Sequence, residues 1–409
     1  MKGSEGIASL KLETLNKLIS KFPKAPSNTF SNMFPTTQYQ SDTIRWEVEY
    51  GSAGMTPFVA PGATAPTIGL DGTGEASASC AFFKEKIYFD EEFLNNLREP
   101  GSWATYQTAE KKLARGMQKL NYRIDRRREW MLAKMLIDGS LTYTKKGGVK
   151  FTVSYGVPST HLVTLVGNYV WGTGSSRNPI LDIMNGKTVL ADDAGIAGQS
   201  LKAMCNSEAL KTLMFDSNFQ TLLQKSTFGN GDLFANPSMV IGTLLGVGPL
   251  EINDDQYEIP AWLTGAVTGG STTTISLDDV TDMEIGGKLR FYDLSEPNVW
   301  EDEVISAVSV ANSTVTVDTA PTLSFRAGED KVTMKKKFVP DNKFFLYSTT
   351  FEGQPIAEMM EAPYGMQRRW GKFVDTKDEW DPEGVWIRAQ DKCLPVMYHP
   401  DTTYVITFK

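Results

Sequence analysis

Residues 103 to 138 read as one uninterrupted helix. The stretch SWATYQTAEKKLARGMQKLNYRIDRRREWMLAKMLIDG places Ser102 as the N-cap and Gly139 as the residue that stops the helix, with no proline between them. At 1.5 Å per residue such a helix spans about 50 Å, the breadth of a whole domain. Its apolar residues Leu113, Met117, Leu120, Ile124, Met131 and Met135 fall on one face, with a gap between Ile124 and Met131 where Arg127 and Arg128 stand. A coiled coil would carry the apolar seam through that gap, and a compact enzyme rarely needs such a rod. The expectation is a girder lying along a flat, extended subunit.

The chain of 409 residues is 41% hydrophobic and 11% aromatic, enough for roughly two or three cores. Cys80, Cys205 and Cys393 are odd in number and lack metal-ligand spacing, which argues for packing residues in a reducing compartment and against a disulfide framework. No stretch approaches the about 18 continuous apolar residues of a membrane span, and MKGSEGIASLKLETLNKL lacks a signal-peptide core. The expectation is therefore a soluble chain that is not exported by that route. A net charge of −8 disfavours a nucleic-acid-binding surface over the molecule as a whole, because phosphate binding needs a basic field.

Residues 1–42 read as an arm, with a short amphipathic helix near Ser9 to Lys21 followed by a segment rich in proline, serine and asparagine that has too little apolar surface to fold alone. TIRWEVEY then alternates as a half-buried strand, and CAFFKEKIYF, from Cys80 to Phe89, reads as its return partner. Residues 51–79 between them are rich in glycine and proline, so 43–89 is expected to form an extended two-stranded loop that projects onto another chain. After the long helix the pattern is mixed, with strand-like VKFTVSYGV (149–157), HLVTLV (161–166) and MVIGTLL (239–245), and helices near 200–227. Residues 264–337 break the composition with five short strand patterns separated by turn residues, the mark of a small all-β domain. Their flanks, DDQYEIPAW and KKKFVPDNKFFLYS, read as two arms of one hairpin with the module inserted at its tip. VWIRAQDKCLPVMYH (385–399) and TTYVITF (402–408) read as closing strands.

The inventory for chemistry is nearly empty. The two histidines, His161 and His399, lie far apart in sequence, and no HExxH, paired CxxC or GxSxG occurs. Asn185-Gly186-Lys187-Thr188 resembles the end of a phosphate loop, but Leu181 stands where its first glycine would fall. His399-Pro400-Asp401 reads as a surface turn. Asp192-Asp193, Asp254-Asp255 and Asp278-Asp279 lack calcium-loop spacing and read as solvated turns. The basic runs Arg126-Arg127-Arg128, Lys335-Lys336-Lys337 and Arg368-Arg369 invite a nucleic-acid reading. For the first, Asp125 and Glu129 sit three residues from Arg128 and Arg126, so local ion pairs are expected. No catalytic, cofactor-binding or metal-ligating residue is assigned.

The order of arm, projecting loop, long helix, α/β region and terminal strands resembles the lambda-type major capsid proteins of tailed bacteriophages. The resemblance is carried by Pro100-Gly101, Arg123-Ile124-Asp125-Arg126-Arg127, Glu129-Trp130-Met131, Tyr155-Gly156-Val157-Pro158 with His161, and Trp171. It continues in Tyr257, Val339-Pro340-Asp341-Asn342, Leu394-Pro395-Val396 and His399-Pro400-Asp401, in order over 43–409 apart from the insert. It implies an α+β chain with the tailed-phage and herpesvirus major-capsid fold: N-terminal arm 1–42, extended loop 43–89, P domain 90–180 with spine helix 103–138, A domain 181–263 and 338–384, inserted β domain 264–337, and terminal strands 385–409. It also implies a major head protein without catalysis or cofactor. Such a protein self-assembles in the host cytoplasm as hexamers and pentamers, with scaffold, portal and a decoration protein as further partners. The resulting icosahedral shell encloses double-stranded DNA that meets the inner wall without specific binding. His161, Trp171 and Leu394-Pro395-Val396 are implied to hold the fold. An encapsulin-like compartment uses the same fold and is the alternative, ahead of an α/β enzyme with a β insert. A tail or fibre protein, mostly strand, is disfavoured by the long helix.

Overall fold

A computed structural model describes residues 10–22, 28–50, 58, 74–98, 103–144, 150–196, 201–226, 233, 235–296 and 298–408. The N-cap Ser102, the Pro100-Gly101 pair and most of the 51–73 segment lie outside the described residues. The chain forms two compact units: one of 1–135, 192–196 and 348–402, the other of 136–191, 197–347 and 403–409. Contacts thus divide the chain at 347/348, and 348–384 groups with the first unit.

The long helix runs from Trp103 to Asp138 and stops at Gly139, whose φ of 62° lies in the left-handed region that favours glycine. In the first unit the strand Glu383–Met397 is the backbone of a five-stranded sheet. It pairs antiparallel with Phe373–Trp380, with Ala81–Asp90 and, through its last residues, with Ala357–Glu361, to which Thr36–Gln38 adds in parallel. One core joins Leu113, Met117, Leu120 and Ile124 of the helix to Val385, Ile387 and Ala389 of that strand.

The helix in the described part of the arm docks on the chain's own core. Leu15 and Ile19 of the helix Leu12–Lys21 are buried in the same core, because the amphipathic face supplies what the proline-rich segment lacks. Asn16 fixes the docking by donating from Nδ2 to Val374 O (3.0 Å) and accepting from Val374 N at Oδ1 (2.9 Å). The partner of Thr43–Val48 differs from expectation. It is Gly74–Ser79, with Thr43 opposite Ser79, while Ala81–Asp90 turns away after Cys80 to join Glu383–Met397. GEASAS has almost no strand propensity of its own; it pairs because Ile44, Trp46 and Val48 bury one face and the small residues fit opposite them.

The second unit holds a mixed sheet in the order Leu162–Thr164, Thr403–Thr407, Lys343–Tyr347, Lys202–Cys205, Leu250–Ile252. Phe344, Phe345, Leu346 and Tyr347 are all buried, as expected of a central strand covered on both faces. Met239–Leu245, read above as a strand, belongs to a helix, Pro237–Leu245. Pro237 stands in its first turn and Gly246 caps it in the left-handed region, so start and stop signals overrule the β-like apolar run.

A six-stranded antiparallel sheet follows the order Gln256–Trp262, Lys331–Lys337, Lys288–Tyr292, Trp300–Ser309, Thr314–Val317, Thr274–Ser276. The arm facing Gln256–Trp262 is Lys331–Lys337, with Trp262 opposite Lys331. Phe344 to Tyr347, read as part of that arm, instead lies in the mixed sheet. The five short strands therefore grow directly from the hairpin as one sheet, because Lys331–Lys337 pairs on both edges.

Substituting Ile124 with Asp would place an unpaired carboxylate in the core between helix and sheet, costing several kcal/mol or raising its pKa far above normal. The expected result is insoluble or unassembled protein; soluble, normally assembled particles would show that this face is not core.

Candidate functional site

The gap in the helical seam is filled by a charge. Arg128, whose side chain is only 12% exposed, donates from Nε to Asp391 Oδ2 and from Nη2 to Glu361 Oε1, both at 2.6 Å. Asp391 is fully buried on Glu383–Met397 and Glu361 ends the neighbouring strand Ala357–Glu361. Burial opposes the guanidinium's charge, yet Asp391 and Glu361 hold its pKa well above the ordinary value. Glu129, one residue on, accepts from Phe30 N (2.6 Å), Ser31 N (2.8 Å) and Ser31 Oγ (2.6 Å), so its carboxylate caps the short helix Thr29–Met33 of the arm. Asp125 pairs with Lys372, and Arg123 with Glu85. The charges that suggested local pairs along the helix thus reach across the fold, to sheet and arm.

The remaining sequence candidates resolve into structural roles. Gly186 lies in the helix Pro179–Ala194, where a Cβ would stand 2.6 Å from the Tyr404 ring. Lys187 Nζ donates to Leu245 O (2.8 Å) and Gly246 O (2.9 Å), closing the end of Pro237–Leu245 where a phosphate loop would need it free. His399-Pro400-Asp401 is buried, which corrects the surface-turn reading; the His399 ring lies 4.6 Å from Phe351 and its carbonyl accepts from Thr402 Oγ1. His161 is buried and its Nδ1 lies 2.9 Å from Thr403 O. Trp171 donates to Asp182 Oδ2 (2.8 Å) and stacks on Phe408, while burial raises the Asp182 pKa against that bond. Leu394 and Val396 are buried.

Lys335, Lys336 and Lys337 face Glu258, Glu284 and Asp254 with Asp341, so this run is neutralised in place. Arg368 donates to Gln40 O, and Arg369 lies over Phe373. Burial pushes the thiols of Cys80 and Cys205 up to about 12 and that of Cys393 upward as well, which leaves them unreactive. Among the described residues no cluster of His, Cys, Asp and Glu could hold a metal ion, and no described helix is long and apolar enough to cross a membrane.

What the first unit does present is surface for contact. A cleft of about 1010 Å³ has Phe82, Tyr364 and Met366 among its lining, with Lys84, Arg368 and Arg388 around them. Met366 is fully exposed, and Trp380, at the tip of the hairpin Phe373–Trp380/Glu383–Met397, is 93% exposed. Sequence reading missed both, since neither stands in a periodic pattern.

A frame tied together by buried ion pairs, with large apolar side chains left outside it, fits a subunit of an assembly. The profile of the family described as phage major capsid protein E matches residues 11–251, more than half of the chain. The chain belongs to this family. Its place is the capsid of the virion and its role is structural: it assembles with copies of itself into the shell. No curated protein matches the chain. Among solved structures it is similar to the putative capsid protein of a prophage of E. coli CFT073, at 12% identity over 97% of this chain and 99% of that chain, with a TM-score of 0.52. It is also similar to a phage-related protein from Bordetella bronchiseptica RB50, at 10% identity over 96% of each chain and a TM-score of 0.47. A third similarity is to the mature capsid of bacteriophage PhiM1, at 9% identity over 95% and 89% and a TM-score of 0.41. At 12% identity the prophage protein speaks for the fold alone, and that fold is the tailed-phage capsid fold.

Replacing Arg128 with Ala strands two carboxylates, one fully buried, and should cost about 3–5 kcal/mol in chemical denaturation. The triple variant Arg128→Met, Glu361→Leu, Asp391→Leu should recover most of that loss, whereas equal damage in both would deny that the stranded charges are the cause.

Proposed function

We propose that this capsid subunit closes an icosahedral head around double-stranded DNA as hexamers and pentamers, with the first unit as the peripheral domain and the second as the axial domain. The observation that carries the reading is the ribbon Thr43–Val48/Gly74–Ser79. It forms a two-stranded sheet of its own, and its intervening segment holds many glycines and prolines and no lysine, a composition suited to lapping onto a neighbour. Met366 and Trp380 offer further contacts between copies, of the heterologous kind that closes shells. Assembly takes place in the host cytoplasm around a scaffold and from a portal. The net charge of −8 suits a wall that packaged DNA touches without adhering.

Residues 264–337 act in this reading as an outward module that the lattice does not need. The register gives the excision point, since Trp262 and Lys331 face each other and a two-residue turn joins such a pair. Replacing 263–330 with Asn-Gly, together with Val332→Thr and Met334→Thr at the freed edge, should leave shells of unchanged diameter in electron micrographs. Unassembled subunits that keep their circular dichroism would place the module among the lattice contacts.

Lysine-to-asparagine welds between subunits, which the resemblance to relatives raises, are not expected here. Residues 51–79 hold no lysine, and Lys86 on the return strand lies 3.6 Å over the Trp386 ring. Denaturing electrophoresis of mature heads should show one band near 45.3 kDa, and a ladder of its multiples would refute the non-covalent shell.

A further inference from the structure

The solvent face of the six-stranded sheet carries a row of residues in direct register across four strands: Trp262, Lys331, Tyr292 and Trp300. Opposite residues of antiparallel strands share a face, and the strands lie about 4.8 Å apart, so the two tryptophans stand about 14 Å from each other with tyrosine and lysine between them. The reverse face is the module's core, where Leu289, Phe291, Val332 and Met334 are buried and Phe291 stacks on Phe325. Trp262 and Trp300 are nevertheless 46% and 51% exposed, an unusual use of large aromatics on a solvent face.

Trp300 is held ready. Arg290, two residues from Tyr292 on the same face, lies over its ring at 4.0 Å and is itself fixed by Asp302, with Nε to Oδ1 at 2.6 Å and Nη2 to Oδ2 at 2.7 Å. The guanidinium covers one side of the indole and sets its orientation, so an incoming ring meets a rigid anchor that loses little entropy on binding. The charge of this face opposes that of the chain. Lys288, Arg290, Lys331 and Lys335 stand against Glu258 and Asp302, and Lys331 has no ion-pair partner among the described residues.

We propose that this face binds an acidic polysaccharide, its sugar rings lying on Trp262, Tyr292 and Trp300 and a carboxylate meeting Lys331. Flat aromatic rings suit the C–H faces of sugars, and a row repeating at the strand spacing suits a chain of linked rings. With Arg290 paired to Asp302 and Lys335 to Glu258, only Lys288 and Lys331 of this face lack an ion-pair partner among the described residues, too few to track a backbone with a phosphate at every nucleotide, which decides against single-stranded nucleic acid.

The test uses the full-length chain, free and in assembled shells, titrated at low salt with hexasaccharides of mannuronate, hyaluronan and heparosan. Neutral cellohexaose and a twelve-residue oligo-dT serve as controls. Tryptophan fluorescence and calorimetry should show binding of at least one acidic hexasaccharide, weaker binding of cellohexaose, and a decline with added salt. Trp300→Ala and Trp262→Ala should each weaken it tenfold or more. Lys331→Glu, at a half-buried position whose fold is checked by circular dichroism, should weaken it comparably and abolish the salt dependence. No binding of any acidic hexasaccharide at millimolar concentration overturns the proposal, as does affinity unchanged in Trp300→Ala and Lys331→Glu, or tighter binding of oligo-dT through the same residues. Binding by the free chain but not by shells supports the proposal while refuting the outward placement of the module.

Discussion

A buried arginine between two carboxylates organises the first unit. Arg128 occupies the one position of the helical seam that is not apolar, and with Asp391 and Glu361 it ties the spine to two adjacent strands. Apolar packing alone would let a helix of this length slide by a turn along a sheet, since one buried aliphatic face resembles the next. A guanidinium has a single arrangement in which both carboxylates are satisfied, so here it sets register. Glu129 extends the constraint to the arm by capping Thr29–Met33, and Asp125 extends it to Lys372. Helix, sheet and arm are thereby fixed by the ion or cap contacts of three residues, Asp125, Arg128 and Glu129, within five positions of one helix.

Such a frame suits a protein that works by geometry. A shell closes only if each copy presents the same surfaces at the same angles, which calls for a stiff interior and adaptable edges. The interior here is close-packed, with its thiols silenced by burial and its basic runs neutralised or turned to packing. Among the apolar side chains left outside, Trp380 on its hairpin tip and Met366 at the cleft have the character of contact residues. Pairing, capping and packing account for Arg128, Glu129, Lys187, His161, Trp171 and the Lys335–Lys337 run.

The spine, its buried face and the closing strands were legible because period, cap and stop signals agree there. The tertiary use of its charges was not, since Asp125, Arg128 and Glu129 lie at spacings that equally suit local pairs, and only the fold brings Asp391 within reach. Gly74–Ser79 was invisible as a strand because its small polar residues take their conformation from Thr43–Val48. Pro237–Leu245 carries both helix signals, Pro237 and Gly246, against a β-branched run that favours a strand, and the signals prevail. The contact residues Met366 and Trp380 carry no local pattern at all, and their meaning is only their exposure.

The capsid role is tested most directly by cryo-electron microscopy of the intact virion. The predicted map has a closed head wall in which every subunit shows a helix of the length of Trp103–Asp138, lying against the strand Glu383–Met397 with side-chain density bridging Arg128 to Asp391 and Glu361. A head wall built from another chain, with this protein confined to tail or tube density, would contradict it.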